Sequence, residues 1–352
     1  MPGIETRRIE ATAARLRDWA VEAALPLWAG AGFDRLRGRF QERLTLEGRP
    51  IVDVPIRLMV QGRQIYAFGV AKRRHLHPGA LDLVEQAYVT MVHQYHRADG
   101  RDGWVFAVNS DGTVANGTRD LYAHAFALLG IASFVEATGK QEALTVADDT
   151  LTYLDTTMRA GHGGYVDAIP PNDALRRQNP HMHLFEGLLA LWRVSAERRY
   201  LLRAEEIFEL FRKSFFQAGN GVLGEYYDSQ LKPAANELGR IVEPGHHYEW
   251  VWLLRMFEAE SGRDVQPYVD ALYRHADRYG HAKSGLVVDE LLSDGSVRTP
   301  SHRAWPMTEA IKANVVEALR GRIDSQGKAA TLAEALHDRF LRSTCAGGWM
   351  DR

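Results

Sequence analysis

The chain has 352 residues, 45% hydrophobic and 25% charged, a balance that excludes a disordered segment and fits a globular protein. The formal net charge is −2 and no long basic tract occurs, which argues against a nucleic-acid partner; no run of about 18 apolar residues predicts a membrane span. The single Cys345 excludes an internal disulfide, and residues 1–19 lack the apolar core of a signal peptide, so a soluble cytoplasmic protein is expected.

In chain order, helical spacing or composition covers 6–29, 56–73, 78–97, 120–138, 140–159, 180–197, 199–215, 247–260, 265–281, 305–320 and 328–342. Between these segments, 44–54, 104–116 and 286–298 each place a turn signal between two β-prone runs and predict short hairpins. No Pro/Gly/Ser-rich linker interrupts the chain, which reads as one domain over 1–352.

A repeat emerges when the glycines are aligned. Gly32-Phe33, Gly103-Trp104, Gly164-Tyr165, Gly221-Val222, Gly285-Leu286 and Gly348-Trp349 are each a glycine followed by an apolar residue, and two helices fit in each interval. A helix pair cannot bury both of its faces alone, so neighbouring pairs must stack. The expected fold is all-α, an (α/α)6 barrel with short β-hairpins in its loops; a superhelix of pairs is the rival. The count reaches eleven helices where a closed ring needs twelve, so the final helix is expected to be missing. A groove should then lie between the first and eleventh helices and expose Trp19, Leu25, Leu27 and Trp28.

In a double ring the inner helices should be apolar all round, as 180–197 and 247–260 are. Polar residues on them need partners or a task, because an unpaired buried polar group costs about 1–3 kcal/mol. In "NPHMHLFEGLLALW", His181 and His183 point about 200° apart on a helix. His183 shares a polar, small face with Glu186 and Gly187, and this face is assigned to the lumen. His181 should point away, so that its loss would be mild. In "EPGHHYEWVWLL", His246 and Glu249 share a face at a helix start, with Glu249 placed to orient the imidazole. The helix dipole there should keep His246 neutral, as a general base requires. In "HRAWPMTEAIKA", Trp305 and Glu309 are one turn apart, a pairing that suits stacking on a sugar and accepting from its hydroxyls. Arg63 in "QGRQIYAFGVA" and Tyr122 with His124 in "RDLYAHAFALLGIA" mark the earlier inner helices.

These residues permit histidine-mediated proton transfer on a sugar, a metal site of His183, His246 and Glu249, or glycoside hydrolysis by Glu249 and Glu309. No HExxH or Cys/His cluster supports the metal, and hydrolysis leaves the histidines unexplained. A helical scaffold without activity would carry no matched histidines.

"RRQNPHMHLFEGLLALW", "EPGHHYEWVWLL" and "RAWPMTEAIKA" resemble motifs of the N-acylglucosamine 2-epimerase superfamily, which includes mannose isomerases and cellobiose 2-epimerases. The similarity runs from about Gly32 to the C-terminus. "RAWPMTE", with one Trp, is more similar to the mannose isomerase branch. The resemblance implies an (α/α)6 barrel and proton transfer at C1 and C2 of a sugar, without metal or cofactor. It implies His183 and His246 as catalytic imidazoles, and Arg63, Tyr122, Asn179, Glu249, Trp305 and Glu309 as substrate-binding positions. The implied function is an aldose–ketose isomerase, mannose to fructose or lyxose to xylulose. The alternatives are a 2-epimerase on a free or N-acylated hexose, and an inactive sugar-binding relative. The expected partner is a small-molecule sugar, with homodimerisation left open. Family members usually carry one more histidine on a helix after the "GGW" loop, where this sequence reads "CAGGWMDR".

Overall fold

A computed structural model describes residues 2–351. Its α-helices are α1 (Pro2–Trp19), α2 (Leu25–Ala29), α3 (Leu58–Arg73), α4 (Ala80–Tyr95), α5 (Leu121–Thr138), α6 (Leu144–Tyr153), α7 (Gln178–Ser195), α8 (Arg198–Leu210), α9 (Pro244–Ser261), α10 (Gln266–Tyr279), α11 (Ala304–Leu319) and α12 (Ser325–Phe340). A π-helical turn, Ala20–Ala24, joins α1 to the short α2, and similar turns extend α6 and α8. Each predicted helical segment is present to within a few residues. Local signals set several ends: the Asp120 side chain accepts from Ala123 N at the start of α5, and Gly139 and Gly262 close α5 and α9 in left-handed conformation.

The backbone divides into two compact units, Leu25–Leu210, and Met1–Ala24 with Phe211–Arg352. In the first, α5 packs between α3 and α7, while α4, α6 and α8 lie against α3, α5 and α7. Glycine permits the close approach of the inner row. A Cβ on Gly62 would lie 2.2 Å from the Phe126 carbonyl oxygen, and one on Gly187 would lie 3.1 Å from that of Ala125. Gly187 therefore faces α5 rather than a polar site. Sandwiched in this way, α5 is buried along nearly its whole length. By length and composition alone it is long and apolar enough to cross a membrane, but 83% of it is buried within the structure, as in a core helix.

In the second unit α9 packs on α10 and α11, α11 on α12, and α12 on α1. Arg8 Nε donates to Glu334 Oε1 at 2.9 Å, and Thr12 Oγ1 reaches the same carboxylate at 3.3 Å. The first helix thus lies directly on the last, and the groove expected between them is not formed. Trp19, Leu25, Leu27 and Trp28 are each half-buried rather than exposed.

Two of the three predicted hairpins form. Ala107–Val108 pairs with Val114–Asn116, and Glu290–Leu292 with Val297–Thr299, each extended to three antiparallel strands by a neighbour. The 44–54 segment makes only an isolated bridge, Leu44 to Pro50. Pro50 has no N–H to give to a ladder.

Candidate active site

The glycine repeat has a structural cause. Gly103, Gly164, Gly221 and Gly285 all adopt positive φ, between 62° and 81°. The turns they form aim a nearby backbone N–H at the following inner helix. Trp104 N donates to His124 Nε2 at 3.2 Å, Tyr165 N to His181 Nε2 at 3.0 Å, and Leu223 N to His247 Nε2 at 3.0 Å. In the next repeat Val287 N meets Met307 Sδ at 3.3 Å. On their other nitrogen, His124 and His181 hold the carbonyls of Asp120 and Arg177, at 2.7 and 3.0 Å. Burial pushes these imidazoles down, to about 4 for His124 and about 3 for His181, so both stay neutral. These three histidines pin backbone. His181 does turn away from His183, as its phase on the helix requires, but it is fully buried and bonded at both nitrogens. Its loss is therefore expected to cost stability, while a mild effect on turnover remains the expectation.

His183, 7% exposed, is bonded to a side chain. Its Nδ1 lies 3.2 Å from Glu186 Oε2, one turn along α7. The rings of Tyr122 and Phe126 pack on it at centroid distances of 4.9 and 4.6 Å. Arg63 Nη2 donates to the Tyr122 hydroxyl at 2.6 Å, and its guanidinium carbon lies 4.2 Å from the Phe126 ring centroid. Asn179, one turn before His183, has a buried Oδ1 with no hydrogen-bond partner among the described residues. Four sequence-designated residues, Arg63, Tyr122, Asn179 and His183, thus belong to this unit. The first, second and fourth form one connected cluster.

His246, 5% exposed, differs in charge. Its Nδ1 lies 3.0 Å from Glu225 Oε2 and 3.9 Å from Glu243 Oε2. Burial opposes its protonation, but Glu225 and then Glu243 overcome that and raise it to about 10. The expectation of a neutral His246 oriented by Glu249 is corrected on both points. A carboxylate at 3.0 Å, with a second at 3.9 Å, outweighs the partial charge of a helix end. Burial pushes Glu243 up to about 7, against the pull of His246. Arg303 Nη2 holds Glu243 at 3.3 Å, while its Nε pairs with Asp289. Glu249 is itself buried, one turn after His246.

Trp305 packs against His246 with centroids 5.0 Å apart, and Gly245 makes room for it: a Cβ there would lie 2.5 Å from the indole. Glu309 is engaged by protein donors. Its Oε2 takes Trp252 Nε1 at 2.7 Å and Lys312 Nζ at 2.6 Å, and Thr308 Oγ1 reaches Oε1 at 3.2 Å. Trp305 and Glu309, paired in the sequence reading, are thus tied to different neighbours. The reading missed Glu225 and Glu243. Glu243 had a signal, three residues before His246; Glu225 lies in a loop with no pattern to mark it.

The donor atoms of Glu225, Glu243 and His246 lie within 4.8 Å of one another, a spacing that also suits a cation. A metal at Nδ1 would have to displace the proton shared with Glu225. The imidazole already pairs with Glu225, and Arg303 with Glu243, so each carboxylate of the cluster has a partner.

Known proteins resemble this chain over most of its length. The profile described as N-acylglucosamine 2-epimerase (GlcNAc 2-epimerase) matches residues 38–352. The chain is 35% identical to a mannose-6-phosphate isomerase of Rhizobium meliloti (strain 1021), over 98% of this chain and 90% of the relative. Among solved structures, a cellobiose 2-epimerase from Spirochaeta thermophila DSM 6192 aligns with a TM-score of 0.83 and 25% identity, over 97% of this chain and 88% of that one. A D-mannose isomerase aligns with a TM-score of 0.85 and 20% identity, over 96% and 90%. The fold is the all-α (α/α)6 barrel of these enzymes. The chain belongs to the N-acylglucosamine 2-epimerase family.

Proposed function

We propose that this protein is an aldose–ketose isomerase acting on mannose, or on lyxose as a close relative, by histidine-mediated proton transfer through an enediol. The observation that carries this reading is a pair of buried imidazoles, each bonded through Nδ1 to a carboxylate. His246 is held charged by Glu225 and Glu243, which suits an acid. His183 Nδ1 lies 3.2 Å from Glu186 Oε2, which fixes its ring, and His183 is assigned as the base that takes the C2 proton.

In this mechanism His183 removes the proton from C2 of the open-chain aldose and returns it to C1. His246 supplies a proton to O1 as the carbonyl becomes an enol and recovers one from O2 as the ketone forms. Arg63, fixed by the Tyr122 hydroxyl and the Phe126 ring, stabilises charge growing on oxygen. Such a preorganised donor is worth about 3–4 kcal/mol. The unpartnered Asn179 Oδ1 is an acceptor suited to a sugar hydroxyl. Trp305 offers a ring to the C–H face of the sugar. Glu249 is assigned to substrate hydroxyls, and Glu309 acts by holding Trp252 and Lys312.

Incubation with mannose should yield fructose, and in D2O the product should carry deuterium at C1. Mannose 6-phosphate, lyxose and N-acylmannosamine complete the panel, read by NMR. Similarity to a cellobiose 2-epimerase favours a second reading, 2-epimerisation of a free or N-acylated hexose. Glucose as the only product from mannose would establish that reading instead. Tight sugar binding without turnover would mark a binding protein.

A further inference from the structure

We propose that Glu225 is a positioning residue for catalysis, fixing His246 as a charged acid with its Nε2–H directed to substrate. The proposal rests on the isomerase reading above and names the group that sets the acid's state.

Glu225 lies in the loop after the strand Val222–Leu223, and it is 4% exposed. Both carboxylate oxygens are placed. Oε2 lies 3.0 Å from His246 Nδ1, and Oε1 takes the Glu243 backbone N–H at 3.4 Å. A buried carboxylate bonded at both oxygens has little freedom to follow a moving imidazole, so the imidazole is fixed by it. Glu243 is the weaker partner. It stands 3.9 Å from Nδ1 and is tethered by Arg303, which Asp289 holds in turn at 2.9 Å. With Trp305 packed on the ring, His246 is set in place and orientation.

Two carboxylates at Nδ1 assign Nε2 to proton exchange. The steps balance. In the first, the C2–H pair becomes the C1=C2 bond, the carbonyl π pair moves to O1, and O1 takes the Nε2 proton. In the second, the O2–H proton returns to Nε2 as C2=O2 forms, and C1 takes a proton from the base. A neutral His246 could not begin this sequence. The titratable and charged groups around His246 are Glu225 from the loop, Glu243, His247 and Glu249 from its own helix, and Arg303 and Glu290 acting through Glu243. Among them Glu225 contributes the largest pull toward the charged form.

The test is Glu225→Gln and Glu225→Asp in the full chain. Readouts are kcat and KM against pH, melting temperature, and the ¹⁵N shifts of His246. In the unaltered protein His246 should stay protonated through pH 8. In Glu225→Gln it should lose its proton near or below neutrality, kcat at pH 7 should fall about 100-fold with little change in KM, and the alkaline limb of kcat should move to lower pH. Glu225→Asp should restore part of both. A folded Glu225→Gln that keeps kcat and the alkaline limb overturns the proposal, as does a neutral His246 at pH 7 in the unaltered protein. If Glu225→Gln does not fold, an unmoved alkaline limb in Glu225→Asp overturns it. Should no sugar be turned over, the isomerase reading fails, and the His246 titration alone decides whether Glu225 sets its charge.

Discussion

Helices α7 and α9 begin with nearly the same ingredients and use them differently. Each carries two histidines close to its N-terminus, His181 and His183 in one, His246 and His247 in the other. In both, the histidine four residues after the N-cap turns to the preceding loop and takes a backbone N–H: His181 from Tyr165, His247 from Leu223. His124 of α5 stands at the same offset from Asp120 and does the same with Trp104. The remaining histidine of each helix bonds a carboxylate. For His183 that carboxylate is Glu186, from its own helix; for His246 it is Glu225, from a loop. The residue type is constant, while helical phase and neighbours decide between a structural pin and a group equipped for chemistry.

The largest effect should come from the carboxylate-bonded pair. His183→Ala and His246→Gln should each lower kcat by about 10²–10⁴-fold, with circular dichroism unchanged. Retained turnover in either would break the distinction drawn between the two classes of histidine.

The pins should behave in the opposite way. His181→Ala leaves Tyr165 N and the Arg177 carbonyl unpaired in the interior, at about 1–3 kcal/mol for each group. Thermal unfolding should shift down by several degrees, while kcat per folded molecule stays within about threefold. A large loss of kcat at unchanged stability would move His181 into the other class.

Acidity should separate the classes again. Burial holds the folded pKa values of His124 and His181 at about 4 and 3, below the ordinary 6.5 of histidine, so the unfolded chain binds more protons as pH falls. Their contribution is full above about pH 6.5 and is lost as pH drops toward 4 and 3. For His246 the sign reverses. Its folded pKa is raised to about 10, so its stabilisation is full below about 6.5 and is lost as pH rises toward 10. Melting temperature against pH should fall on both sides of neutrality. His181→Gln should flatten the acid side only, and Glu225→Gln the alkaline side only.

The smallest effect concerns packing beside His246. Gly245→Ala places a Cβ 2.5 Å from the Trp305 ring and must displace the indole. A cost of about 1–3 kcal/mol in stability is expected, with KM for the sugar raised more than kcat is lowered. Unchanged KM would show that Trp305 does not contact substrate.

The sequence by itself determined the helices, because period and caps are local: the apolar run of α5, the Pro244-Gly245 start of α9 and the closing glycines are read without knowing the neighbours. It also determined the repeat, since a left-handed turn needs glycine at Gly103, Gly164, Gly221 and Gly285. It placed His183 and Glu186 together, because three residues is one turn of one helix. Only the tertiary structure decided the rest. That His181 is pinned, that Glu225 rather than Glu249 accepts from His246, and that Glu309 is engaged by Trp252 and Lys312 all depend on groups brought together by packing of separate segments. The charge of His246 shows why: the local helix dipole favours a neutral ring, and a carboxylate 21 residues away in sequence but 3.0 Å away in space reverses it.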